Sequence, residues 1–117
     1  MHTENIKAQM RKGFLEYCIL LIISKEASYA PDIIRNLKKG HLIVMEGTLY
    51  PLLTRLKNNG LLDYSWAESN QGPPRKYYEL TERGRLFLYD LEEAWQEIRH
   101  GIDVIKEELS SESNLYN

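Results

Sequence analysis

The sequence predicts a mainly α fold with one small β-hairpin, an α+β chain, and three observations predict it. Apolar residues recur at helical spacing in four stretches, two short stretches alternate apolar with polar, and glycine or proline marks most of the joints. At 117 residues the chain is sized for one domain plus an extension. Hydrophobic residues at 43% and charged residues at 27% are ordinary globular usage, which argues against wholesale disorder.

From Asn5 to Ser24 there is no proline, Gly13 is the single breaker, and Ile6, Met10, Leu15, Cys18, Ile19 and Ile22 repeat near helical spacing. This predicts a first helix with its later half buried. Ser28 to Pro31 interrupts it and opens a second helix. Proline is tolerated in a first turn because the N–H groups there have no intrahelical partner. Ile33, Ile34 and Leu37 form the apolar face of that helix, which runs to about Lys39 with Gly40 as its expected stop. His41 to Met45 is an apolar connection, with a brief strand as the alternative. A third helix follows on Leu49, Leu52, Leu53 and Leu56, spaced i, i+3, i+4 and i+7, and Gly60 ends it. Pro51 lies within or just past its first turn, where it costs much less than the roughly 3 kcal/mol of a helix interior.

Leu62, Tyr64 and Trp66 alternate with Asp63, Ser65 and Ala67, and Lys76, Tyr78 and Leu80 alternate with Tyr77 and Glu79. Each run reads as a strand, joined to the other through the turn-rich Ser69 to Pro74. Thr81 is the expected N-cap of a long last helix, with Glu82 at the positive end of its dipole. That helix carries Leu88, Leu91, Trp95, Ile98, Ile102, Ile105 and Leu109 at alternating spacings of 3 and 4. Such a heptad seam calls for a partner helix. The partner is either the chain's own first helix or a second copy; the expectation is a shared core built by the first and last helices of two subunits, with those seven residues as the dimer interface. The expected division is residues 1–84 as one domain, 85–110 as the dimerisation helix and 111–117 as a flexible tail.

The formal net charge of −2 conceals an uneven distribution. Residues 1–85 hold 13 Lys and Arg against 9 Asp and Glu, while residues 86–117 hold 2 against 8. A basic part and an acidic part are expected to do different work, and the basic part permits nucleic-acid binding. The single cysteine, Cys18, allows no disulfide within the chain and fits a reducing cytoplasm. Its apolar run, Cys18 to Ile23, is far shorter than the roughly 18 residues of a membrane helix, and the stretch before it does not read as a secretory leader. His2, His41 and His100 lack metal spacing, and no nucleophile–base pair or glycine-rich phosphate loop occurs. Neither an enzyme nor a cofactor is expected.

Three helices followed by a hairpin form the winged helix-turn-helix plan, in which one helix enters the major groove and the hairpin tip reaches the flanking backbone. With the leucines of the third helix inward, Thr48, Tyr50, Pro51, Arg55 and Asn58 are left outward. Arg55 has the chemistry to pair bidentately with guanine. On the wing, Gln71, Arg75 and Lys76 flank a loop stiffened by Pro73 and Pro74, an arrangement suited to phosphate contact or minor-groove entry. Winged domains also serve as protein-binding adaptors that never touch DNA, and the overall acidity keeps that alternative open.

Two segments, EGTLYPLLTRLKNNGLL (Glu46 to Leu62) and PRKYYELTERG (Pro74 to Gly84), resemble the signature segments of the PadR family of bacterial transcription regulators. RKGFLEYCIL, Arg11 to Leu20, resembles that family's first-helix segment. The resemblance implies a homodimer on an imperfect palindrome of double-stranded DNA, usually a repressor that a ligand releases; compact members often answer to phenolic acids, drugs or other small hydrophobic molecules. It places Tyr29, Thr48, Tyr50, Arg55, Arg75 and Lys76 at DNA-facing positions, and Tyr78, Leu80 and Gly84 at structural ones. Ala30 and Pro31 depart from the family's usual glycine and aromatic, which weakens the backbone contact expected around Tyr29. Trp95 has two readings. Paired across a two-fold axis, two Trp95 rings would offer flat faces to a planar aromatic ligand, as the resemblance implies for multidrug-responsive relatives; otherwise Trp95 fills the dimer core.

Overall fold

The computed structural model describes residues 6, 9–11 and 13–116, with side chains as far as residue 111. Helices α1 (Leu15–Lys25), α2 (Ala30–Lys39) and α3 (Glu46–Asn58) precede strands β1 (Leu62–Ser69) and β2 (Gly72–Leu80), and α4 (Glu82–Tyr116) closes the chain. This is the winged helix-turn-helix order, with a hairpin wing and a long terminal helix.

One core unites the parts before α4. Ile19, Leu20 and Ile23 of α1 meet Ile33 and Leu37 of α2, Leu49, Leu53 and Leu56 of α3, and Leu62, Tyr78 and Leu80 of the hairpin. Leu88 and Leu91 of α4 lie half-buried against it. Truncating a fully buried leucine such as Leu53 to alanine removes about 2 to 5 kcal/mol of stability, because the cavity collapses only partly.

The first helix is not continuous from residue 5. Residues 6 and 9–11 are helical, but the chain turns at Gly13 and Phe14, where the Phe14 N–H donates to the Arg11 carbonyl, and α1 begins at Leu15. Residues 5, 7, 8 and 12 lie outside the described residues. Glycine's freedom makes such an interruption cheap. The segment 42–45 is irregular chain rather than a strand, with Met45 extended at its end.

The stop after α2 also differs from expectation. Gly40 has an ordinary negative φ of −89°, and His41 takes the left-handed position at φ 64°. Leu42 N–H donates to the Leu37 carbonyl and His41 N–H to that of Lys38, the two bonds of a Schellman end. Those bonds fix the left-handed residue one place beyond the glycine, and histidine is among the residues that tolerate it. At the end of α3 the same pair of bonds, Leu61 to Leu56 and Gly60 to Lys57, puts Gly60 in the left-handed place at φ 78°.

The hairpin keeps the predicted alternation, with Leu62 opposite Leu80, Tyr64 opposite Tyr78 and Trp66 opposite Lys76. Its loop is shorter than expected. Ser69 pairs with Gly72, leaving Asn70 and Gln71 as the turn, and Pro73 and Pro74 belong to β2. The register slips by one at that point, so the two prolines stand against Glu68 alone. A bulge is where a strand tolerates residues with no N–H to donate. Ser28 adds a single antiparallel bridge to the other side of β2, exchanging both backbone hydrogen bonds with Tyr78.

Thr81 caps α4 as the sequence predicts. Its hydroxyl accepts from the Gly84 N–H at 2.9 Å and donates to the Gly60 carbonyl at 2.6 Å. Gly84 is required by close approach, since a Cβ there would lie 2.1 Å from the Leu61 carbonyl oxygen. The helix continues through residues 111–116, which were expected as tail; no glycine or proline interrupts it there. Among the described residues, no helix is long and apolar enough to cross a membrane.

Candidate nucleic-acid interface

Burying Leu49, Leu53 and Leu56 leaves Thr48, Tyr50, Thr54 and Asn58 of α3 facing outward. Tyr50 is 45% exposed and lines a cleft of about 440 Å³ that runs from α3 to the wing. Tyr29, Trp66, Arg75 and Lys76 line the same cleft. Four of the six positions expected to face DNA therefore converge: Tyr29, Tyr50, Arg75 and Lys76. Thr48 is exposed on α3 outside the cleft lining.

Local structure explains the convergence. The Ser28 bridge to Tyr78 sets Tyr29 beside β2, where its ring centroid lies 5.5 Å from that of Tyr77. Arg75 and Lys76 are consecutive strand residues and leave opposite faces of the hairpin. The Arg75 guanidinium carbon sits 4.9 Å from the centre of the Tyr29 ring. The Lys76 ammonium sits 3.9 Å from the Tyr64 ring centre and within 5.8 Å of those of Tyr78 and Trp66. Cations over ring faces are attracted by the ring quadrupole, so both charges are held in place before any partner arrives. A hydrogen bond with Tyr77, then the field of Tyr29, pushes the Arg75 pKa further above its already high value.

Arg55 stands apart from this cluster. Its guanidinium pairs with the Glu16 carboxylate of α1, although its side chain remains 59% exposed. The sequence placed Arg55 on the outward face but offered no sign of this partner, 39 positions away.

Trp66, Tyr64 and Lys57 stand beside the same cleft or its cations, and the sequence reading did not single them out. Trp66 is 63% exposed on the wing, and Lys57 of α3 lies 5.4 Å from the Tyr64 ring centre. The signal was present in the strand parity, which puts Tyr64, Trp66, Lys76 and Tyr78 on one face.

The second place of interest lies where α4 crosses α1. Phe14 packs on edge against Trp95 with centroids 5.0 Å apart, beside a cavity of about 100 Å³ that Tyr17, Leu91, Ala94 and Ile98 also line. The Tyr17 hydroxyl donates to the Glu92 carboxylate. Burial, and then that bond to an anion, pushes the Tyr17 pKa to about 12. The same hydroxyl, with the Gln96 amide, holds Glu92 below the usual carboxylate range. Leu88, Leu91 and Trp95 are half-buried against the chain itself, whereas Ile98, Ile102, Ile105 and Leu109 are bare.

An outward helix face joined to a hairpin by a cleft of rings and fixed cations defines a winged helix-turn-helix regulator of the DNA-binding class. The chain belongs to the PadR-like family of transcriptional regulators, whose sequence profile matches residues 19–90. It is similar to the X-ray structure of a PadR-like transcription factor from Bacteroides fragilis at 61% identity, covering 86% of this chain and 98% of that one, with a TM-score of 0.73. A PadR-like transcriptional regulator from Bacillus cereus is 37% identical over 83% of this chain and 95% of its own, with a TM-score of 0.75. A PadR family regulator from Eggerthella lenta is 28% identical, covering 87% and 89%, with a TM-score of 0.79.

Proposed function

We propose that two copies of this chain bind one imperfect palindrome in double-stranded DNA and repress the adjoining gene, working in the cytoplasm and releasing DNA when a small hydrophobic or aromatic effector binds beside Trp95. The observation that carries this reading is the cleft between α3 and the wing, where Tyr29, Tyr50, Arg75 and Lys76 meet. Thr48 and Tyr50 enter the major groove, while Arg75 and Lys76 take phosphates, Tyr29 supporting Arg75 from beneath. Arg55, already engaged by Glu16, contributes to how α3 is held.

Dimerisation follows from the bare half of the seam. Ile98, Ile102, Ile105 and Leu109 present a continuous apolar stripe that water covers poorly, and a second α4 has the matching repeat. The cavity between Phe14, Tyr17 and Trp95 is too small for a drug-sized molecule within one chain, so the effector site is completed by the partner subunit.

The test is duplex binding across a salt series, using a duplex selected from a random pool by the protein itself. The expected log-log slope is on the order of −5 or steeper, because several phosphate contacts release counterions. A flat dependence, or no selected sequence, overturns the reading and favours an adaptor that binds protein.

A further inference from the structure

Among the described residues, two side-chain polar links join different helices: Arg55 of α3 with Glu16 of α1, and Tyr17 of α1 with Glu92 of α4. They meet on consecutive residues. The other side-chain pairs between helical residues, Arg35 with Asp32, Tyr89 with Glu93 and Gln96 with Glu92, each stay within one helix. Consecutive positions on a helix project about 100° apart, so one turn of α1 grips α3 on one side and α4 on the other.

Further contacts strengthen both grips. Phe14, three residues before Tyr17, seats its ring on Trp95; Glu92 and Trp95, also three apart, share a face of α4. One carboxylate oxygen of Glu16 is shielded from solvent, with Arg55 as the cation that meets it. Arg55 keeps much of its side chain in water, so the pair sets the direction of the link and adds modest energy to it. α4 packs chiefly on α1 and β2, and α3 chiefly on α2 and β1, so the polar route between the long helix and the outward helix of the cleft runs through α1.

We propose that Glu16 and Tyr17 are positioning residues that couple α4 to α3. Between them α1 moves as one rod, and a displacement of α4 at Glu92 and Trp95 re-aims Thr48 and Tyr50. The proposal rests on the function above for what α3 reads, but the coupling itself is testable without DNA.

Native-state hydrogen exchange of the full chain reads it, as the ratio of protection in α3 to protection in α2, which a uniform loss of stability does not move. Trp95→Ala is expected to change that ratio tenfold or more in the natural chain and less than twofold in the Glu16→Gln or Tyr17→Phe background. Equal changes in all backgrounds, or none in the natural chain, overturn the coupling. Tyr17→Phe removes a single oxygen and keeps the ring packing, so it decides the matter if Glu16→Gln does not fold. Glu16→Asp, which keeps the charge, is expected to restore part of the response. A natural chain that binds no duplex sinks the function proposed above and leaves the exchange result standing.

Discussion

The two halves of α4 carry one repeat and meet different surroundings. Leu88, Leu91 and Trp95 are half-buried by the chain's own core and by Phe14, whereas Ile98, Ile102, Ile105 and Leu109 continue the same spacing at 45–57% exposure. Length accounts for the difference. At 1.5 Å per residue the 35 residues of α4 extend about 52 Å, while the 11 of α1 extend about 16 Å, so α1 can cover only the beginning. A heptad pattern states that a helix needs a partner; only the reach of the neighbouring elements decides how much of that partner is internal.

The largest expected effect is in the bare half. Ile102→Glu should leave the circular dichroism of the monomer unchanged, shift sedimentation to a single chain and weaken duplex binding about 100-fold or more, since the proposed dimer would no longer hold two half-sites as one. A dimer persisting in sedimentation would move the interface elsewhere. Substitutions in or against the covered half act on folding instead. Gly84→Ala drives a methyl into the Leu61 carbonyl where α4 enters the fold, and should cost about 1 to 3 kcal/mol in denaturant unfolding. Leu91→Ala, half-buried, should cost about 1 to 2 kcal/mol, below the range for a fully buried leucine, without altering subunit affinity as Ile102→Glu does.

The smallest effect is one of pH. Tyr17 is raised from 10.0 to about 12, so its bond to Glu92 contributes fully below pH 10 and is lost as pH rises through about 12. Glu92 is lowered, so its share is present above its ordinary 4.5 and is lost as pH falls through the depressed value. Tyrosinate absorbance should show a step near pH 12 that vanishes in Tyr17→Phe, while Tyr89, raised by its hydrogen bond to Glu93, still titrates above the ordinary tyrosines; a step near 12 surviving that change would assign it to another ring.

Much of this was legible from periodicity. Strand parity grouped Leu62, Tyr64 and Trp66 on one strand and Lys76, Tyr78 and Leu80 on the other, the leucine spacing of α3 predicted which side is core, and Thr81 was placed as a cap that the hydrogen bonds reproduce. What escaped has no period. The Glu16–Arg55 pair joins residues 39 positions apart whose exposure alone looked like free surface. The interruption at Gly13, the left-handed His41 and the one-residue bulge opposite Glu68 are set by where neighbouring elements need the chain to be. Four members of the expected DNA face converged because the bridge from Ser28 to Tyr78 carries Tyr29 to the wing, a contact no local pattern announces.

The paired prolines of the wing have one more consequence. A two-stranded ribbon exposes unpaired backbone along its rims, and among the described residues the far rim of β2 is backbone-paired only at Tyr78. Such rims invite strands from other molecules to add on and begin aggregation. Pro73 and Pro74 remove two successive donors near the ribbon's tip, and the slipped register beside them spoils the straight rail that an incoming strand would follow. The tip of the wing is thereby kept from acting as a template for fibrous self-association.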